Sequence, residues 1–143
     1  MICRSNSAEE TRQFAYQLGK KAKSGDIFCL DGDLGVGKTV FTQGFASGLG
    51  VSDPYITSPT FTIINEYEGR LKLFHFDVYR ITSIEEMDDT GYEEYFFSDG
   101  VCLVEWAELI KEIIPEKAVW IKISKDLSQG ENFRLIDVGG DKK

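Results

Sequence analysis

Gly32-Asp33-Leu34-Gly35-Val36-Gly37-Lys38-Thr39 sets the reading of the whole chain. The stretch matches G-x-x-x-x-G-K-[ST] at every fixed position. Its three glycines let a backbone turn back tightly and aim successive N–H groups at an anion without interference from Cβ. A helix starting at Lys38 adds unpaired amides and the positive end of its dipole. In such a loop Lys38 reaches the β- and γ-phosphates, and the Thr39 hydroxyl ligates Mg²⁺. The bland alternative is a glycine turn in front of a helix. The phosphate reading requires a buried strand before the loop and a helix after it.

Both are present in the pattern. Ile27-Phe28-Cys29-Leu30 reads as a short buried strand. Phe41, Phe45 and Leu49 recur every four residues, so a helix is predicted over 38–49 with Gly50 as its stop. Upstream, Ser7-x-x-Glu10 has the form of a capping box, and Phe14, Ala15, Leu18 and Ala22 follow at helical spacing. A first helix is expected over about 8–23. Downstream, 61–67 and 71–78 read as strands joined at Glu68-Gly69, a hairpin. The stretch 83–97 reads as irregular helix broken near Gly91. Val101–Glu105 is a buried strand, 107–114 a short helix ended by Pro115, and 118–124 and 133–138 are strands. The expectation is an α/β fold: a P-loop NTPase-like three-layer sandwich with a mixed, partly parallel central sheet. No repeat or linker divides the 143 residues, so one domain is expected, with its core over about 7–138.

A phosphate loop also needs a carboxylate at the tip of a neighbouring strand. Glu105 ends the apolar run Val101–Val104, and Asp77 ends Leu73–Phe76. Glu105 ranks ahead as the direct metal ligand, with both expected near the cation. A solvent-facing strand end is the plain alternative for each. Between loop and acids, Thr57-Ser58-Pro59-Thr60-Phe61-Thr62 has the hydroxyls of a segment that senses a γ-phosphate, or of a solvated loop. His75 reads as a hydrogen-bonded structural histidine ahead of a base, and Trp106 as packing ahead of stacking on a base. Arg80 fits either transition-state charge or a surface ion pair. Cys29 and Cys102 fall inside apolar strands and read as core.

Composition excludes other classes. Sixteen basic against 24 acidic residues give a net charge of −8. Residues 41–110 hold only Arg70, Lys72 and Arg80 against thirteen acids. Such a chain is repelled by a nucleic-acid backbone, so tight unassisted binding to RNA is not expected. Three cysteines without a CxxC pair argue against a disulfide framework or zinc site. No apolar run exceeds four residues, so neither a membrane helix nor a signal peptide is expected, and the reading is a reduced, cytoplasmic protein. The seven acids of 85–99, interleaved with Tyr92, Tyr95, Phe96 and Phe97, read as a solvated face with inward aromatics, or else a docking surface for a basic partner.

Gly-Asp-Leu-Gly-Val-Gly-Lys-Thr at 32–39, Ser-Pro-Thr-Phe-Thr at 58–62, Asn65-Glu66-Tyr67, His75-Phe76-Asp77-Val78-Tyr79-Arg80 and Val104-Glu105-Trp106-Ala107-Glu108 occur in that order. Together they closely resemble the TsaE (YjeE) family of small bacterial P-loop ATPases, over about residues 7–138. The resemblance implies Mg²⁺-dependent ATP binding with slow hydrolysis. It also implies a role in making N6-threonylcarbamoyladenosine on tRNA. In that family the ATPase does not transfer the carbamoyl group itself but works with the TsaD–TsaB pair, so tRNA is met only indirectly. Carried over by position, residues 32–40 (Gly32, Asp33, Leu34, Gly35, Val36, Gly37, Lys38, Thr39 and Val40) hold ATP. Thr39 and Glu105 hold the metal, Asp77 assists both metal and hydrolysis, and Thr60 and Thr62 fall in the switch-like segment. Val36 stands where the family commonly has alanine and Val40 where a second threonine usually follows, so no hydroxyl at 40 contacts phosphate. A small-molecule kinase and a GTPase-like switch are the competing readings. The first lacks an Arg-rich lid after the hairpin, the second an N-K-x-D segment.

Overall fold

The structure is a computed structural model that describes residues 1–32, 37–52 and 64–139. Its elements are β1 (Ile2–Ser5), α1 (Ala8–Lys21), β2 (Ile27–Asp31), α2 (Lys38–Gly48), β3 (Ile64–Tyr67), β4 (Leu73–Asp77), α3 (Ile84–Asp88), α4 (Tyr92–Phe96), β5 (Val101–Glu105), β6 (Val119–Lys125) and β7 (Arg134–Val138). A 3₁₀ segment spans Ala107–Ile113. The seven strands form one sheet in the order β1-β7-β6-β2-β5-β4-β3. β2 lies between β5 and β6, parallel to both, and β4 is parallel to β5. β3 pairs antiparallel with β4, and β7 pairs antiparallel with β6 and β1. The sheet is thus mixed, with antiparallel strands at both edges.

Alternation along the central strands sorts side chains into two layers. Phe28 and Leu30 of β2 and Val101 and Leu103 of β5 pack with Phe41, Phe45 and Leu49, beneath α1 and α2. Ile27, Cys29, Cys102 and Val104 pack on the other side with Met87, Phe96, Ala107 and Ile110. The two long helices meet closely. A Cβ added at Gly44 would lie 2.3 Å from Arg12 O, and one at Gly48 2.1 Å from Tyr16 O, so only glycine allows this approach.

The first helix is capped as its sequence predicts at one end of the box: Ser7 Oγ accepts from Glu10 N at 3.1 Å. The return bond goes one residue further out, from Asn6 N to Glu10 Oε1 at 2.8 Å. The hairpin differs from expectation. Tyr67 pairs with Leu73, so five residues separate the strands instead of a tight turn at Glu68-Gly69. The loop is drawn onto the helices: Arg70 N donates to Leu49 O at 2.7 Å, and the Arg70 guanidinium reaches Gly19 O and Ala22 O at the end of α1. The segment after Trp106 forms 3₁₀ turns with a non-helical Ile110 (φ −124°, ψ 29°), since it is short and has no side-chain cap. Within 85–99, Phe96 is buried but Phe97 is exposed, so not every aromatic there points inward. β1 was not expected from the pattern. No helix among the described residues is long and apolar enough to cross a membrane.

Candidate functional site

β2 ends at Asp31, and Gly37 caps α2 with φ 104° and ψ 22°, a left-handed conformation that suits glycine. No side chain caps this end of α2, which leaves its first amides to whatever lies in front of them. Of the predicted loop, Gly32, Gly37, Lys38, Thr39 and Val40 lie among the described residues; Asp33, Leu34, Gly35 and Val36 lie outside them, as do Thr60 and Thr62 and the rest of the 57–62 segment.

Lys38 is only 7% exposed. Its Nζ donates to Gly32 O at 2.7 Å, closing the two ends of the loop on each other. The same ammonium sits 3.2 Å from the centroid of the Trp106 ring. Tyr79 covers that indole as well, with ring centroids 4.6 Å apart. Trp106 thus contacts the loop lysine on one side and packs against the core layer of Met87, Phe96 and Ile110 on the other. It has φ 63°, the sole non-glycine among the described residues in the left-handed region. That twist at the end of β5 is compatible with Trp106 N donating to Leu30 O at 3.3 Å. Nothing in the sequence announced it.

The strand ends bring the acids together. Asp77 pairs with Glu105 in the β4–β5 register, and Leu30 with Glu105 in the β2–β5 register. Glu105 and Asp77 share the face covered by α2, whereas Asp31 lies on the opposite face, by the alternation already described. Glu105 is 2% exposed, and its Oε2 accepts from His75 Nε2 at 2.6 Å and Thr42 Oγ1 at 3.3 Å. Asp77 is half-buried and accepts from Tyr79 N at 3.1 Å. Its pKa stands above the ordinary carboxylate value, chiefly through burial, with the Glu105 charge adding to it. Burial pulls the Lys38 pKa down; Glu105, Glu108, Asp77 and Asp31 pull it back up. Asp31, which sequence reasoning passed over, is pushed up to about 7, first by burial and then by its hydrogen bond and charge contact with Glu108. Only its position one residue before the loop could have flagged it. Arg80 is exposed and forms no ion pair among the described residues.

A cleft of about 440 Å³ opens beside the loop, bounded by Asp31, Gly32, Trp106, Glu108, Trp120 and Lys122. A smaller hollow of about 100 Å³ adjoins the start of α2 at Gly37 and Val40, with Ser7, Thr11, Asn132 and Arg134 around it. The arrangement offers a buried cation, open helix amides and oxygen donors, a combination suited to a polyphosphate and a hard divalent ion. Among the described residues no group of three or more His, Cys, Asp or Glu could hold a metal ion unaided.

Comparison with known proteins places the chain in a family. The family model described as "Threonylcarbamoyl adenosine biosynthesis protein TsaE" matches residues 5–133. The tRNA threonylcarbamoyladenosine biosynthesis protein TsaE of Bacillus subtilis is 50% identical over 137 residues, covering 95% of this chain and 85% of the relative. That of Treponema pallidum is 42% identical over 123 residues, covering 86% of this chain and 90% of its own. The crystal structure of Bacillus subtilis YdiB superposes with a TM-score of 0.77 at 44% identity, covering 95% of this chain and 82% of that one. A P-loop-like α/β fold, a family model spanning most of the chain and these identities lead to one conclusion: the chain belongs to the TsaE family of tRNA threonylcarbamoyladenosine biosynthesis proteins.

Proposed function

We propose that this chain is the ATP-binding, slowly ATP-hydrolysing subunit of the machinery that makes threonylcarbamoyladenosine in tRNA, acting in the cytoplasm with the TsaD–TsaB transferase pair. The observation that carries the reading is the convergence of Lys38, Glu105 and Asp77 on the uncapped start of α2. Backbone amides of residues 32–40 wrap the triphosphate, and Lys38 neutralises its outer phosphates. Thr39, exposed in the first turn of α2, and Glu105 hold Mg²⁺, with Asp77 beside them. When bound, Mg²⁺ offsets charge on the phosphate oxygens. Asp77, with its raised pKa and half-open setting, orients the attacking water and takes up its proton. Thr60 and Thr62 sense the γ-phosphate from the switch-like segment. The chain leaves carbamoyl transfer to TsaD, and its net charge of −8 suits a subunit that meets tRNA only through partners.

Calorimetry with ATP and GTP, followed by a pull-down of TsaD–TsaB with and without ATP, tests the proposal. Preference for ATP, weak turnover alone and nucleotide-dependent capture are expected. Preference for GTP would favour a GTPase-like switch, and brisk phosphorylation of a metabolite by the isolated chain would favour a kinase; either overturns the proposal.

A further inference from the structure

His75 sits in β4 between Phe74 and Phe76, fully buried at 0% exposure, where an imidazole carries a desolvation cost that an apolar side chain would not. Its Nε2 lies 2.6 Å from Glu105 Oε2, so the proton belongs on Nε2. Its Nδ1 is buried with no hydrogen-bond partner among the described residues. A strand that keeps a half-satisfied imidazole in its core gains little stability from it, and the retained bond points to a task at its other end.

That end is Glu105. His75 and Asp77 share one face of β4, and the register sets Asp77 opposite Glu105, so the imidazole lies diagonally behind the carboxylate, on the core side. Thr42, one turn along α2 from Lys38 and Thr39, donates to the same Oε2. Among the described residues both hydrogen bonds to this carboxylate thus end on one oxygen. Two donors from two elements, β4 and α2, fix the torsion of a side chain that belongs to a third, β5.

We infer that His75 is a positioning residue: with Thr42 it clamps Glu105 Oε2 and so directs Oε1 toward the phosphate loop, where it serves the Mg²⁺ of the bound nucleotide. The inference rests on the proposed ATP site and adds a residue to it that touches neither nucleotide nor metal. A carboxylate so clamped meets the cation without first losing rotational freedom, as expected for an outer-shell partner.

The test is calorimetric titration of Mg²⁺ into protein saturated with a non-hydrolysable ATP analogue, alongside titration of the analogue without Mg²⁺ and thermal melting. His75→Leu is expected to raise the Mg²⁺ concentration for half-saturation about tenfold or more, while metal-free affinity for the analogue changes by less than about twofold. His75→Gln, whose amide N–H reaches roughly as far as Nε2, is expected to recover most of the Mg²⁺ affinity. Should the leucine variant not fold, His75→Asn removes the bond by falling short of Oε2 and is expected to show the same loss. Unchanged Mg²⁺ affinity in a folded His75→Leu or His75→Asn protein overturns the inference. So does an equal loss in His75→Gln, which would mark a role in packing. Wild-type protein that binds no analogue at all would instead remove the ATP site, and this inference with it.

Discussion

The strand ends around the phosphate loop present carboxylates to the two faces of the sheet, and the two sets are built differently. On the α1–α2 face, Glu105 is buried and tied to His75 and Thr42, with Asp77 beside it. On the opposite face, Asp31 meets Glu108, another acid, and its pKa is pushed up to about 7 by burial first and that neighbour second. Donors hold the first set in a fixed orientation. The second sets carboxyl against carboxyl, and burial with that neighbour's charge raises the Asp31 pKa. Lys38 feels all four. Both sets act on Lys38, but among the described residues only the first has its buried carboxylate held by side-chain donors from other elements.

The largest effect is expected at Lys38, the cation both sets face. Lys38→Ala removes the cation that Glu105, Glu108, Asp77 and Asp31 all face and, in the proposed ATP site, the contact to the outer phosphates. Affinity for ATP should fall on the order of a hundredfold or more, as expected for loss of one partner from a buried charge network; calorimetry checks it, and near-normal affinity would contradict the site. Glu105→Gln should keep nucleotide binding but lower Mg²⁺-dependent turnover roughly a hundredfold, whereas Asp31→Asn should change turnover much less. Similar losses in both variants would erase the distinction between the faces.

Stability offers two gentler tests. Gly44→Ala forces a methyl to within 2.3 Å of Arg12 O and should cost about 1–3 kcal/mol in unfolding free energy. A melt no lower than wild type would show that α1 and α2 do not need their close approach. Asp31 gives the smallest and most specific effect. With a folded pKa of about 7 against the ordinary 3.8, the folded state holds a proton that the unfolded chain has released. This residue therefore makes stability decline as pH rises from about 4 to 7. Asp31→Asn should flatten that slope by about 1–2 kcal/mol across the window, allowing for its partial solvent access. Parallel denaturation curves for the two proteins at pH 4 and pH 7 would contradict it.

Much of this was legible in the chain because its signals are local. The capping residues at Ser7 and Glu10, the i, i+4 phenylalanines of α2 and the apolar run 101–104 each set their element within a few residues. β1 was missed for the opposite reason. Ile2-Cys3-Arg4-Ser5 has little strand pattern, and it is held by pairing with β7, more than a hundred residues away. The pattern places the hairpin turn at Glu68-Gly69, whereas the ladder ends at Tyr67 and Leu73 and Arg70 docks on α1, a contact no window of sequence contains. At the site, Lys38, Glu105 and Asp77 follow from motif and strand-end logic. The left-handed Trp106, the Asp31–Glu108 contact and the clamp of His75 on Glu105 arise from strand order and register, which local pattern does not encode.

The proposed site puts a triphosphate at the start of α2, with Lys38 on its outer phosphates and Mg²⁺ between Thr39 and Glu105. A crystal grown with Mg²⁺ and a non-hydrolysable ATP analogue reads this out. Density is expected for the phosphates along residues 32–39 and for the cation within coordination distance of Thr39. Nucleotide bound elsewhere, or a loop that stays empty at saturating analogue, would contradict it.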